Sequence, residues 1–132
     1  RLPAAVNKNK EAFPMKEETV QAVLQFRDER DWKQFHTPKD LALSIVLEAA
    51  ELLELFQWSG SDVRCAGQDQ RVREELADVL CYCISMADVY GFDLDEIILE
   101  KVAKNAEKYP ADLARGSREK YIAYRQKRKD GV

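Results

Sequence analysis

Histidine is almost missing from this sequence, at one residue in 132, and cysteine is scarce at three. Cys81 and Cys83 would have to recruit His36 and Cys65, the only further ligands of that kind, so zinc is an unfavourable reading. Two positions apart in a helical pattern, Cys81 and Cys83 point in different directions, and an odd number of thiols argues against a disulfide framework. They read as small core residues of a reducing compartment. Long apolar runs are lacking too. No stretch reaches bilayer length, and the opening "RLPAAVNKNKEAFPMKEE" has no continuous apolar core for a signal peptide, so a cytoplasmic protein without a membrane partner is expected. One-signed charge is absent as well: 34% of residues are charged, yet the formal net charge is -3. No global field recruits nucleic acid, and an anionic substrate has to be met locally.

What the chain does have is helical periodicity. At 132 residues and 45% hydrophobic it is long enough for one domain with its own core. Residues 1–15, with two prolines and little period, read as an irregular N-terminal arm. From Glu17, the residues Val20, Val23, Leu24 and Phe26 mark one face of a helix running to about Trp32. In "HTPKDLAL", Thr37 is a cap, Pro38 suits the first helical position and Asp40 favours the positive end of the dipole. That second helix is expected to reach about Trp58, before "SGSD". A third runs from about Arg71 to Tyr90 and closes at Gly91; a fourth starts at the capping box of Asp93 and Glu96 and ends near Lys108. No strand pattern competes. The expected class is all-α, an antiparallel four-helix bundle core over residues 16–110, followed by a basic C-terminal extension over 111–132. The second helix is apolar over more of its circumference than one neighbour covers, which suits an oligomer with helices packed across subunits.

Three acids nonetheless stand in that apolar second helix, "LALSIVLEAAELLELFQW": Glu48, Glu51 and Glu54. Glu48 and Glu51 are three apart and share a face. In "EELADVLCY" the pattern returns, with Glu75, Asp78 and Tyr82 in one row among Leu76, Val79, Leu80 and Ile84. Antiparallel packing of the two helices can bring the four carboxylates Glu48, Glu51, Glu75 and Asp78 together, and such anions repel unless cations lie between them. All-oxygen ligands favour Mg²⁺, with Mn²⁺ able to substitute, over zinc. Residue pattern alone also allows solvated faces, the reading given to the marginal Glu54 and Glu74. A di-iron bundle needs a Glu-x-x-His motif on each of two helices, and this chain has none. Trp32, Trp58 and Tyr82 flank the acids and can stack on a flat base, while Lys101, Asn105 and Lys108 form one polar row on the fourth helix that can meet a phosphate. As isolated residues these equally suit core aromatics and an exposed helix face.

"LEAAELLELFQW" followed by "EELADVL" resembles the E-x-x-E, loop, E-x-x-D signature of the all-α nucleoside triphosphate pyrophosphohydrolases, the MazG-like superfamily. "ERDWKQFHTPKDLALSIVLEAAELLELFQW" and "KNAEKYPADLARGSREKY" are similar to its dCTP pyrophosphatase branch, so the likeness runs from about Leu24 to Tyr121. The resemblance implies Mg²⁺ held by Glu48, Glu51, Glu75 and Asp78, with Glu51 or Glu48 serving the attacking water. It implies a base pocket using Trp32, Trp58 and Tyr82, substrate contacts from Lys101, Asn105 and Lys108, and His36 at the pocket rim. The implied reaction converts a nucleoside triphosphate, dCTP or a modified dCTP, to the monophosphate and pyrophosphate. Homodimers or homotetramers with shared sites are implied too. Two features depart from that branch: Val23 stands where it carries a histidine, and the loop from Ser59 to Gln70 is shorter. A relative acting on dUTP or another noncanonical triphosphate, or a non-catalytic nucleotide-binding module, are the competing expectations.

Overall fold

The computed structural model describes residues 16–119 together with Ala123, Arg125, Gln126, Lys129 and Asp130. The N-terminal arm and part of the basic extension lie outside these residues. The described residues form helices and turns only: α1 (Glu17–Asp28), a 3₁₀ turn (Lys33–Phe35), α2 (Pro38–Glu54), α3 (Asp69–Tyr90), α4 (Leu94–Lys108) and α5 (Ala111–Ala114). Between Phe92 and Asp93 the chain divides into two compact units, the first holding α1 to α3 and the second α4 and α5.

Local chemistry accounts for the ends. The Thr37 hydroxyl accepts the Asp40 amide at 3.2 Å, with Pro38 at the first helical position, and the Asp93 carboxylate accepts the Glu96 amide at 2.9 Å. At Gly91 the chain turns left-handed, with φ 68°, while the Phe92 amide donates to the Ala87 carbonyl at 2.9 Å and closes α3. α1 ends earlier than the expected Trp32. Asp31 takes the same left-handed conformation, φ 53°, so that the Asp31 amide reaches the Asp28 carbonyl and the Trp32 amide the Arg27 carbonyl. A short polar side chain tolerates that geometry where a branched one does not. α2 likewise stops at Glu54, four residues before the expected Trp58, and continues as tight turns bonded Phe56 to Leu53 and Gln57 to Glu54. The four-residue α5, after Pro110, has no apolar period and was not anticipated.

In the first unit α3 packs along α2 and against α1. Leu41 at 1% exposure, Ile84 and Ala87 are its buried apolar residues, and Arg27 and Ser85 its buried polar ones. Large apolar residues stay open on α2, where Leu43, Val46, Leu47 and Leu53 are all exposed. Spacings of three and four place the first three on one stripe. No helix among the described residues is long and apolar enough to cross a membrane.

Candidate metal and substrate site

The acids of α2 and α3 meet. Carboxylate oxygens of Glu48, Glu51 and Glu75 lie within 4.8 Å of one another. Glu48 feels Asp78 more strongly than Glu75, while Glu75 feels Glu51. Burial, then the negative charge of Glu51 and of Asp78, pushes the Glu48 carboxyl above the usual carboxylate range. The same causes in the same order raise Glu75, with Arg71 opposing them. Glu75 Oε2 is buried and has no hydrogen-bond partner. An orphaned acceptor beside two further carboxylates fits a cation, and hard oxygen donors at this separation suit a divalent ion of the Mg²⁺ type. Asp78, one turn along α3, stands outside the three-carboxylate group and is exposed. Glu54 and Glu74 are exposed, and Glu74 accepts from Gln70 at 2.9 Å, so neither joins the cluster.

Asp78 instead links the acids to a cavity of about 410 Å³ lined by α1, by Trp32 and His36 on either side of the 3₁₀ turn, and by α3. Two aromatic pairs line it. Phe26 and Trp32 meet edge to face, ring centroids 5.8 Å apart, under the Arg30 guanidinium, which lies 3.6 Å from the Phe26 centroid. Tyr82 and His36 make an edge contact at 6.3 Å. His36 Nδ1 is a second buried atom without a partner. Burial first, and the nearby Arg27 charge second, hold the His36 imidazole below its ordinary pKa, so it is neutral at pH 7. A volume of this size, mostly apolar, with few polar groups, suits a flat heteroaromatic ring.

Of the residues expected to bind substrate, Trp32, Tyr82 and His36 come together here. Trp58 does not line the cavity; it is 88% exposed in the turns after α2, because the helix stops before reaching it. Lys101, Asn105 and Lys108 are exposed on α4, in the second unit. Val23, the departure noted above, lies on the cavity wall. Arg27, Cys81 and Ser85 line it too and were not anticipated. Spacing held the signal for two of them: Arg27 is four residues after Val23 on the apolar face of α1, and Ser85 continues the row of Asp78 and Tyr82.

The chain is similar to known proteins. Residues 43–122 match the model of the MazG-like family, a span that includes all four acids. The chain is 42% identical to dCTP pyrophosphatase 1 of Homo sapiens and 40% identical to that of Mus musculus, over 74% of its own length and 60% of theirs. It thus spans about three fifths of these curated relatives. A crystal structure of a pyrophosphatase from Archaeoglobus fulgidus superposes with a TM-score of 0.67 at 40% identity, covering 78% of this chain and 99% of that one. With the two acid pairs inside the matched span and the helical fold shared, this chain belongs to the MazG-like family.

Proposed function

We propose that the protein hydrolyses a nucleoside triphosphate, dCTP or a modified dCTP, to the monophosphate and pyrophosphate. The observation that carries this reading is the junction at Asp78: three gathered carboxylates with an orphaned oxygen on one side, and an aromatic-walled cavity on the other. A triphosphate whose base enters the cavity brings its phosphates toward the acids. Similarity to dCTP pyrophosphatase 1 suggests the base.

Glu48, Glu51 and Glu75 would hold Mg²⁺, with Asp78 as the fourth ligand, and Mn²⁺ would suit the same oxygens. When bound, the metal supplies charge neutralisation of the triphosphate and Lewis acidity at its phosphorus. Glu51, the exposed member of the three, would orient the attacking water and take its proton, with Glu48 as the alternative base. The water oxygen bonds to the α-phosphorus, the bond to the bridging oxygen breaks, and pyrophosphate leaves. Trp32 and Tyr82 would flank the base and His36 would offer Nδ1 to its edge; Lys101, Asn105 and Lys108 are kept as proposed substrate contacts.

The exposed apolar stripe of α2 supports a homodimer or homotetramer in which helices of an antiparallel four-helix bundle core pack across subunits and sites are shared. Trp58, exposed in one chain, would then enter a neighbouring site. In this reading the catalytic domain spans residues 16–110, residues 111–132 are a basic extension, and the protein acts on the cytoplasmic nucleotide pool. A second substrate, dUTP or another noncanonical triphosphate, is favoured by one observation: Val23 leaves an apolar group on the cavity wall.

Pyrophosphate release from dCTP, 5-methyl-dCTP, CTP, dUTP, dTTP, dATP and dGTP, each with Mg²⁺ and with EDTA, tests this. Metal-dependent turnover led by the deoxycytidine substrates is expected. Turnover led by another base keeps the reaction and discards the cytosine preference, and none at all leaves a non-catalytic nucleotide-binding module.

A further inference from the structure

Arg27 is the buried residue of α1, at 3% exposure, and it is charged. A guanidinium leaves water only where its hydrogen bonds are replaced. Nη1 donates to Asp88 Oδ2 at 2.7 Å, 61 residues on and near the end of α3, and Nε donates to Asp28 Oδ1 at 2.8 Å. The two carboxylates differ in what they can hold. Asp28 is the next residue of the same helix and ties Arg27 only to its own backbone. Asp88 belongs to α3, so that bond fastens one helix to the other. The Arg27 carbonyl, meanwhile, accepts the amides of Arg30 at 3.2 Å and Trp32 at 3.1 Å, holding the reversal that delivers Trp32 to the cavity.

We infer that Arg27 is a positioning residue for the substrate base: its side-chain ion pair with Asp88 fastens α1 to α3, and so holds in place the end of α1 from which Trp32 reaches the cavity wall. This rests on the reading that the cavity seats the base. Arg27 touches neither the acids nor the reacting phosphate in this scheme. Its loss therefore loosens the wall that grips the base and leaves the hydrolytic step alone. Ground-state and transition-state complexes weaken alike, which raises KM without lowering kcat.

The test is steady-state pyrophosphate release from dCTP with Mg²⁺, beside calorimetric binding of dCMP in EDTA, where the metal plays no part. Loss of a stacking wall predicts that Arg27→Ala and Asp88→Asn each raise KM and weaken dCMP binding about tenfold, with kcat within about twofold. Asp28→Asn leaves all three unchanged, because it removes only the bond within α1. Should the single variants not fold, Arg27→Asp combined with Asp88→Arg restores the pair in reverse and is expected to bring KM back within about threefold. An unchanged KM in Arg27→Ala, a loss confined to kcat, an equal effect of Asp28→Asn, or a folded charge-swapped protein with KM still raised would each overturn the role. A wild-type protein that turns over no triphosphate fails the functional reading instead, and is told apart by that result.

Discussion

Glu51 of α2 and Glu75 of α3 hold carboxylate oxygens within 4.8 Å of each other, and Glu48 completes the group. Such a cluster opposes folding of the metal-free protein, since three anions are gathered that the unfolded chain keeps apart.

The sign of the pH effect follows. Glu48 and Glu75 have pKa values raised by burial and by Glu51, so the folded chain keeps protons that the unfolded chain has released. Their contribution to stability is fully present below the ordinary carboxylate pKa and is lost as pH rises through the raised values. Calorimetric melting of metal-free protein should show this loss, and millimolar Mg²⁺ should raise the melting temperature more at pH 7.5 than near pH 5. Equal Mg²⁺ stabilisation at both would contradict binding at these carboxylates.

Glu51→Gln and Asp78→Asn should each lower turnover by a factor on the order of 100 or more, as loss of a metal-site residue does, while the helices stay folded. Circular dichroism checks the fold and pyrophosphate release the activity. Near-normal turnover in either variant would sink the assignment of these acids.

His36 is the single histidine of the chain, so its imidazole gives one unambiguous NMR titration. Its pKa should lie below the ordinary value of about 6.5, and Arg27→Ala should raise it only partway, because burial is the larger cause. The folded state binds fewer protons here, so this contribution to stability holds above the ordinary pKa and fades as pH falls through the lowered one. A titration at or above the ordinary value would show His36 to be solvated.

Leu41 is buried to 1% exposure on α2, and Leu41→Ala should cost about 3 kcal/mol, read as a lower urea midpoint with an unchanged slope. A change below about 0.5 kcal/mol would mean that the site is solvated in solution.

Trp58 is 88% exposed, and its substitution tests the shared site. Trp58→Ala should raise KM for dCTP about tenfold with little effect on kcat, consistent with loss of a stacking partner. Light scattering should find wild type as dimer or tetramer. A stable, fully active monomer would remove any role for Trp58 across subunits.

Much of this was legible in the residues because the signals are local. Thr37 and Asp93 announce the starts of α2 and α4 and hold the expected amides, since a cap acts within one turn. The rows Glu48 with Glu51 and Glu75 with Asp78 follow from the helical period alone. The early end of α1 was hidden because Asp31 adopts a conformation that glycine ordinarily signals. No breaker separates Trp58 from Glu54, so the pattern alone continues α2 to it, yet the backbone tightens there into turns.

By itself, then, the sequence determined an all-helical chain carrying two acidic rows on apolar helices, because period, caps and side-chain spacing are properties of neighbours in the chain. Only the tertiary structure decided that Glu48, Glu51 and Glu75 gather while Asp78 faces the cavity, that Arg27 is buried against Asp88, and that Trp58 stands in the open. Those outcomes depend on which helix faces meet and at what register, and packing between residues far apart in the chain sets both.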